Sequence, residues 1–150
     1  MLLFPLLVIT HALAATVWTG GHLVLALGVL PRALQQQDPD QIQSFERSFE
    51  PLGLTALLIQ VITGLWMSTI LLPGWSGLFQ RSNPIGWLLG IKLLLLAGSA
   101  ALALQARLQI IPNLSQHNLP ALAWHIRAIT LLAVAFVVVG ALIRLGGLPS

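Results

Sequence analysis

An all-α integral membrane fold is expected for this chain: an antiparallel four-helix bundle, with a short amphipathic helix between spans one and two. Composition is the first reason. The 150 residues are 57% hydrophobic and 7% charged, with a mean hydropathy of +0.90, which is more apolar surface than a water-soluble domain of this size can hide. Spacing is the second: the charges stand far enough apart to leave four stretches that meet the roughly 20 apolar residues of a membrane-crossing helix. The third is the shortness of the connections, which makes up-down-up-down packing the economical topology for a single transmembrane domain over residues 1–150.

Span one is expected over about residues 3–30, with Pro5 in the first turn, where its missing N–H would have been unpaired anyway. Ala12-Leu13-Ala14 has the small-x-small look of a signal cleavage site, but no basic segment precedes it and the apolar run continues to Leu30, so the span is read as retained. Leu30-Pro31-Arg32 is its expected stop. All four acidic residues follow, at Asp38, Asp40, Glu46 and Glu50. Asp38-Pro39-Asp40-Gln41 reads as an N-cap, a proline at N1 and a glutamine at N3. Ile42, Phe45 and Phe49 then recur at helical spacing, as in an amphipathic surface helix that Pro51 ends or that leads into the next span.

Span two, about residues 52–72, carries Gln60, Thr63, Gly64 and Met67 on one side, which should face protein. Pro73-Gly74-Trp75-Ser76-Gly77 is a turn, and Arg81 to Pro84 leads into span three, about residues 85–110. There Gly86, Gly90, Ala97 and Ala101 favour close helix contact, and Lys92 is a single intramembrane charge. Trp75 and Trp87 suit an interfacial belt. A polar turn holding a solvated His117 precedes span four, about residues 121–145. Arg32, Arg47, Arg107 and Arg127 gather on the side where span one ends, against Arg81 and Arg144 on the other, which puts both termini outside the cytoplasm.

Several function classes drop out. There is no cysteine, hence no disulfide, thiolate metal site or thiol redox chemistry. The formal charge of +3 and pI near 11.3 come from basic residues scattered at helix ends, so no patch for nucleic acid exists.

The chemistry sits in three histidines. His11 and His22 are eleven residues apart and share one helix face with Trp18, about 16 Å from each other along the axis. Antiparallel packing puts His22 about 12 Å and His125 about 8 Å below the same membrane face, with Gln60 near that level, while His11, Lys92 and Met67 fall about 12 Å from the opposite face. Two imidazoles level across a bundle suit the axial positions of a haem b iron, and copper or zinc would also accept imidazole. Hydrogen-bonded packing is the bland reading of the same residues.

The run His11-x6-Trp18-Thr19-Gly20-Gly21-His22, then Leu30-Pro31-Arg32, Phe49-Glu50-Pro51-Leu52-Gly53, Gln60-Val61-Ile62-Thr63-Gly64, Lys92-Leu93, Ile111-Pro112, His125-Ile126-Arg127 and Arg144-x-Gly146-Gly147 resembles the short CopD-like (copper-resistance D) membrane proteins, over essentially the whole chain. The first-span histidine, the Leu-Pro-Arg element and the lysine are also similar to the HemJ-type protoporphyrinogen oxidases, which bind haem b. The resemblance implies a four-helix plasma-membrane protein. Three functions follow as expectations: a haem b protein for electron transfer or haem handling, with His22 and His125 as axial ligands; copper transport by the same histidines; or, through His11, Arg32 and Lys92, a porphyrinogen-oxidising enzyme. In the first, Arg32 and Arg127 would pair the propionates, and His11 would ligate a second haem or line a quinone or proton site with Lys92. A membrane redox partner and a homodimer built on Gly- and Ala-rich faces complete the expected partners.

Overall fold

The structure, a computed structural model, describes residues 2–146; Gly147 of the C-terminal motif lies outside them. Four helices are long and apolar enough to cross a membrane: α1 Leu3–Gln36, α2 Asp40–Leu71, α3 Pro84–Asn113 and α4 Leu119–Arg144. Among the described residues there is no strand. Contacts fix their directions. His11 meets Thr63 while Gly21 meets Phe49, so α1 and α2 are antiparallel. Thr130 reaches the carbonyl of His22, pairing α1 with α4, and Lys92 lies on Gly140 with Gly98 on Leu132, pairing α3 with α4. The lateral order is therefore α2, α1, α4, α3. Glu50 and Arg107 form an ion pair across the remaining side, but α2 and α3 have no extended packing against one another. The bundle is an arc with one open side.

The two ends of the arc differ. At the face carrying both termini lies the 72–83 connection; at the other lie Pro31, Pro112 and the two shorter connections. Near this proline face Leu25, Leu30, Ala33, Ile42, Leu119, Leu122, Ala123 and Ile126 form one buried cluster. Ile42 brings the amphipathic segment into it: the expected surface helix forms and runs on through Pro51 into the second span as one helix. Its N-cap is Pro39, one residue beyond the expected Asp38; the Asp38 carboxylate instead accepts the backbone N–H of Asp40 at 3.1 Å and the side-chain amide of Gln41 at 3.1 Å, with Gln37 at φ 50° reversing the chain just before.

Pro31, expected to end the first span, is instead passed, whereas the third helix does end at Ile111-Pro112-Asn113, in a 3-10 turn. The Pro31 ring lacks an N–H and would press on the carbonyl four residues back. The chain accommodates it by widening the turn before it: residues Leu25–Val29 are π-helical, the Leu30 N–H bonds to the Leu25 carbonyl, and the helix resumes to Gln36. Ala106–Ile110 does the same ahead of Pro112, with the Ile111 N–H on the Ala106 carbonyl. Prolines commonly mark such local departures from the α ladder.

Gly86 and Gly90 do not receive a helix, as their spacing suggested. They receive the 72–83 connection, which folds back over the start of α3. The Gly77 carbonyl lies in the notch at Gly86 and the Phe79 ring in that at Gly90. Asn83 caps the helix, its Oδ1 accepting the Gly86 N–H at 3.1 Å. Arg81 stands 5.5 Å from the centre of the Trp87 ring. A methyl group at Gly86 would strike backbone, not a movable side chain. Gly86→Ala is expected to cost about 1–3 kcal/mol, the range for overpacking, measurable as an earlier unfolding midpoint in detergent; an unchanged midpoint would show that the connection does not seat on α3.

Candidate functional site

All three expected intramembrane histidines are held the same way, through Nδ1. His22 Nδ1 is 2.9 Å from the Trp18 carbonyl and His125 Nδ1 is 2.9 Å from the Ala121 carbonyl. A carbonyl only accepts, so each Nδ1 carries the proton. His11 Nδ1 is 2.9 Å from the Thr63 hydroxyl. That hydroxyl spends its single proton on the Ile59 carbonyl at 2.7 Å, so it too accepts from the imidazole. In every case Nε2 is left with a bare lone pair. The His125 Nε2 is buried with no hydrogen-bond partner. Ligating histidines are oriented in this way, by donating the far N–H to a fixed acceptor.

Their depths differ from the expected pairing. Thr130 bonds the His22 carbonyl at 3.3 Å, so Thr130 is the α4 residue at the level of His22. His125, five residues earlier, lies about 7.5 Å nearer the proline face by helical rise. The rings also lean apart, because each tilts toward the N-terminus of its own antiparallel helix. His22 and His125 therefore do not face each other at one depth as the two sides of a single haem iron require. The expected level failed because it was measured from Leu30, and α1 continues past Pro31. Gln60 shifts too: with Thr63 on His11, Gln60 stands one turn from His11 on its proline-face side, well short of the level of His22 and His125. Along the bundle the order is His11, then His22 about 16 Å on, then His125.

Packing around the first two is set by glycines. Gly64 leaves room for the His11 ring, which comes within 3.0 Å of where a Cβ would sit. Gly21 and Gly53 together receive the Phe49 ring, itself stacked on Phe45 at 5.5 Å between centres. The second glycine of the Trp-Thr-Gly-Gly-His run is thus a socket for α2, and Trp18 rests against the His22 ring at 4.3 Å.

A cavity of about 680 Å³ fills the terminal half of the arc, with walls from all four helices. His11, Met67 and Lys92 line it, while His22 and His125 do not. Thr19 Oγ1 and Gln60 Oε1, from two residues of its wall, are buried without partners. Sequence reasoning gave no role to Thr19 or Thr63; their only signal was a position on the inward faces of α1 and α2. Arg32 and Arg127 are exposed, Arg32 beside Asp38 and Asp40 in a shallow surface groove. His117 is exposed in its turn, as expected. Among the described residues no three His, Asp or Glu side chains converge as a metal cluster.

The family model for copper resistance protein D matches residues 43–143, more than half of the chain. The chain belongs to that family. The matched region holds Lys92, His125 and Arg127; His11, His22 and Arg32 precede it. No curated protein and no solved structure matches, and the likeness to HemJ-type oxidases has no counterpart in these comparisons. Membership and the four apolar helices together make this a multi-pass membrane protein of the copper-resistance D type.

Proposed function

We propose that the chain carries copper across the cell membrane, passing Cu(I) between single imidazoles at His11, His22 and His125. The observation that carries this reading is the buried, unpartnered Nε2 of His125, an atom that costs free energy unless something binds it. Imidazole accepts copper and thioether accepts Cu(I), so Met67 beside His11 fits the donor set. One nitrogen at a time holds an ion loosely, which suits transit better than storage. The positive-inside distribution of Arg32, Arg47, Arg107 and Arg127 supports a cytoplasmic proline face, with movement along the ladder in either direction.

Purified protein brought to equilibrium by dialysis against buffered free Cu(I) tests the reading. Copper retained in proportion to protein, with no Soret band before or after reduction, is the expected outcome. A Soret band with sharp reduced α and β bands, and porphyrin in an acid extract, would replace copper with haem b. Neither copper nor porphyrin bound would leave the histidines as packing residues and overturn both.

A further inference from the structure

The cavity at the terminal half holds a cation with no counter-charge. Lys92 lies within the third span, its Nζ 3.4 Å from where a Cβ on Gly140 would sit. Among the described residues no aspartate or glutamate lines the cavity, and the ion pair present is that of Glu50 with Arg107, at the other face. A cation at membrane depth is costly unless an anion or a dense set of acceptors offsets it. Arg144, one turn beyond Gly140, adds a second cation at the mouth. The rest of the wall is apolar, including Leu57, Leu93, Leu96 and Phe136. The volume, about 680 Å³, lies within the range of small-molecule sites. The arc is open between α2 and α3, toward lipid and not toward water.

We propose that this cavity binds a single-chain amphiphile with an anionic head, the head at Lys92 and Arg144 and the chain running between α2 and α3 toward Leu57. The apolar walls exclude a free inorganic anion as the natural occupant, because it would bring a second desolvation cost with no burial of apolar area to offset it. The proposal goes beyond copper transit and does not rest on it: His11 and Met67 line the same cavity, but the head is held by Lys92 and Arg144, which are not copper donors.

The test uses the full chain in phosphatidylcholine nanodiscs and the fluorescence of 11-(dansylamino)undecanoic acid, with its methyl ester as the neutral control. The acid is expected to bind at least about tenfold more tightly than the ester. Lauric acid or dodecyl phosphate should displace it, identifying a carboxylate or a phosphate head, while acetate and inorganic phosphate should not. Lys92→Met should lower affinity for the acid about tenfold and leave the ester unchanged, and Lys92→Arg should retain binding. Equal binding of acid and ester by the unaltered protein, a measurement that needs no variant to fold, overturns the proposal. So does a folded Lys92→Met protein that binds the acid as before.

Discussion

A His125→Leu variant is expected to lose the copper held at that station and gain stability at once. The loss follows from removing an imidazole nitrogen that has no other partner. Altering a group that merely orients a ligating imidazole costs about 10–100-fold in metal affinity, and deleting the imidazole should cost at least the upper end of that range. The gain follows from the same atom. A buried, unsatisfied nitrogen costs about 1–3 kcal/mol, and leucine, of similar volume, removes it. Little is forfeited with Nδ1, because the Ala121 carbonyl keeps the helical N–H of residue 125. Copper retention by metal analysis and unfolding of the metal-free protein in detergent should therefore move in opposite directions. A variant that loses both would make His125 a packing residue held by contacts unrelated to metal.

Leu122→Ala is expected to be among the most destabilising single truncations in the molecule. Leu122 is 1% exposed, against Leu30 and Ile42 at 0%, and these three come from α4, α1 and the start of α2. Truncating a leucine in so closed a site costs about 2–5 kcal/mol, because the surroundings cannot collapse into the space. The same truncation at Leu93, on the wall of the open cavity, should cost far less. Comparing the two midpoints by detergent-to-denaturant titration tests whether stability is concentrated at the proline face; equal losses would refute it.

The parts of this fold that could be read from sequence are those set by periodicity. Four spans, their antiparallel order and the inward turn of Gln60, Thr63 and Gly64 all follow from where polar residues fall on a helix of about 3.6 residues per turn. Glycines and prolines were harder, because their meaning depends on what approaches them. Gly21 and Gly53 form one socket only once α1 and α2 are placed side by side, and Gly86 faces a loop whose path no periodicity describes. Pro31 reads as a stop, since a proline and its missing N–H break an α ladder; a wider turn absorbs that defect, and nothing in the local sequence announces it. Depths counted from a helix end placed at Leu30 made His22 and His125 appear level.

The wide turn ahead of Pro31 has an evolutionary consequence. A π turn holds one residue more than the α turn it replaces, so it is the trace an inserted residue leaves in a helix whose two halves keep their original facing. Leu25, at its start, and Leu30 and Ala33, just beyond it, all point into the same buried cluster. Losing one residue from Leu25–Val29 together with the ring of Pro31 would restore an unbroken α-helix without turning either half away from its partners. Insertion and proline are therefore coupled changes, each tolerable because of the other, and homologues of this chain should vary there by one residue in length in step with the presence of that proline.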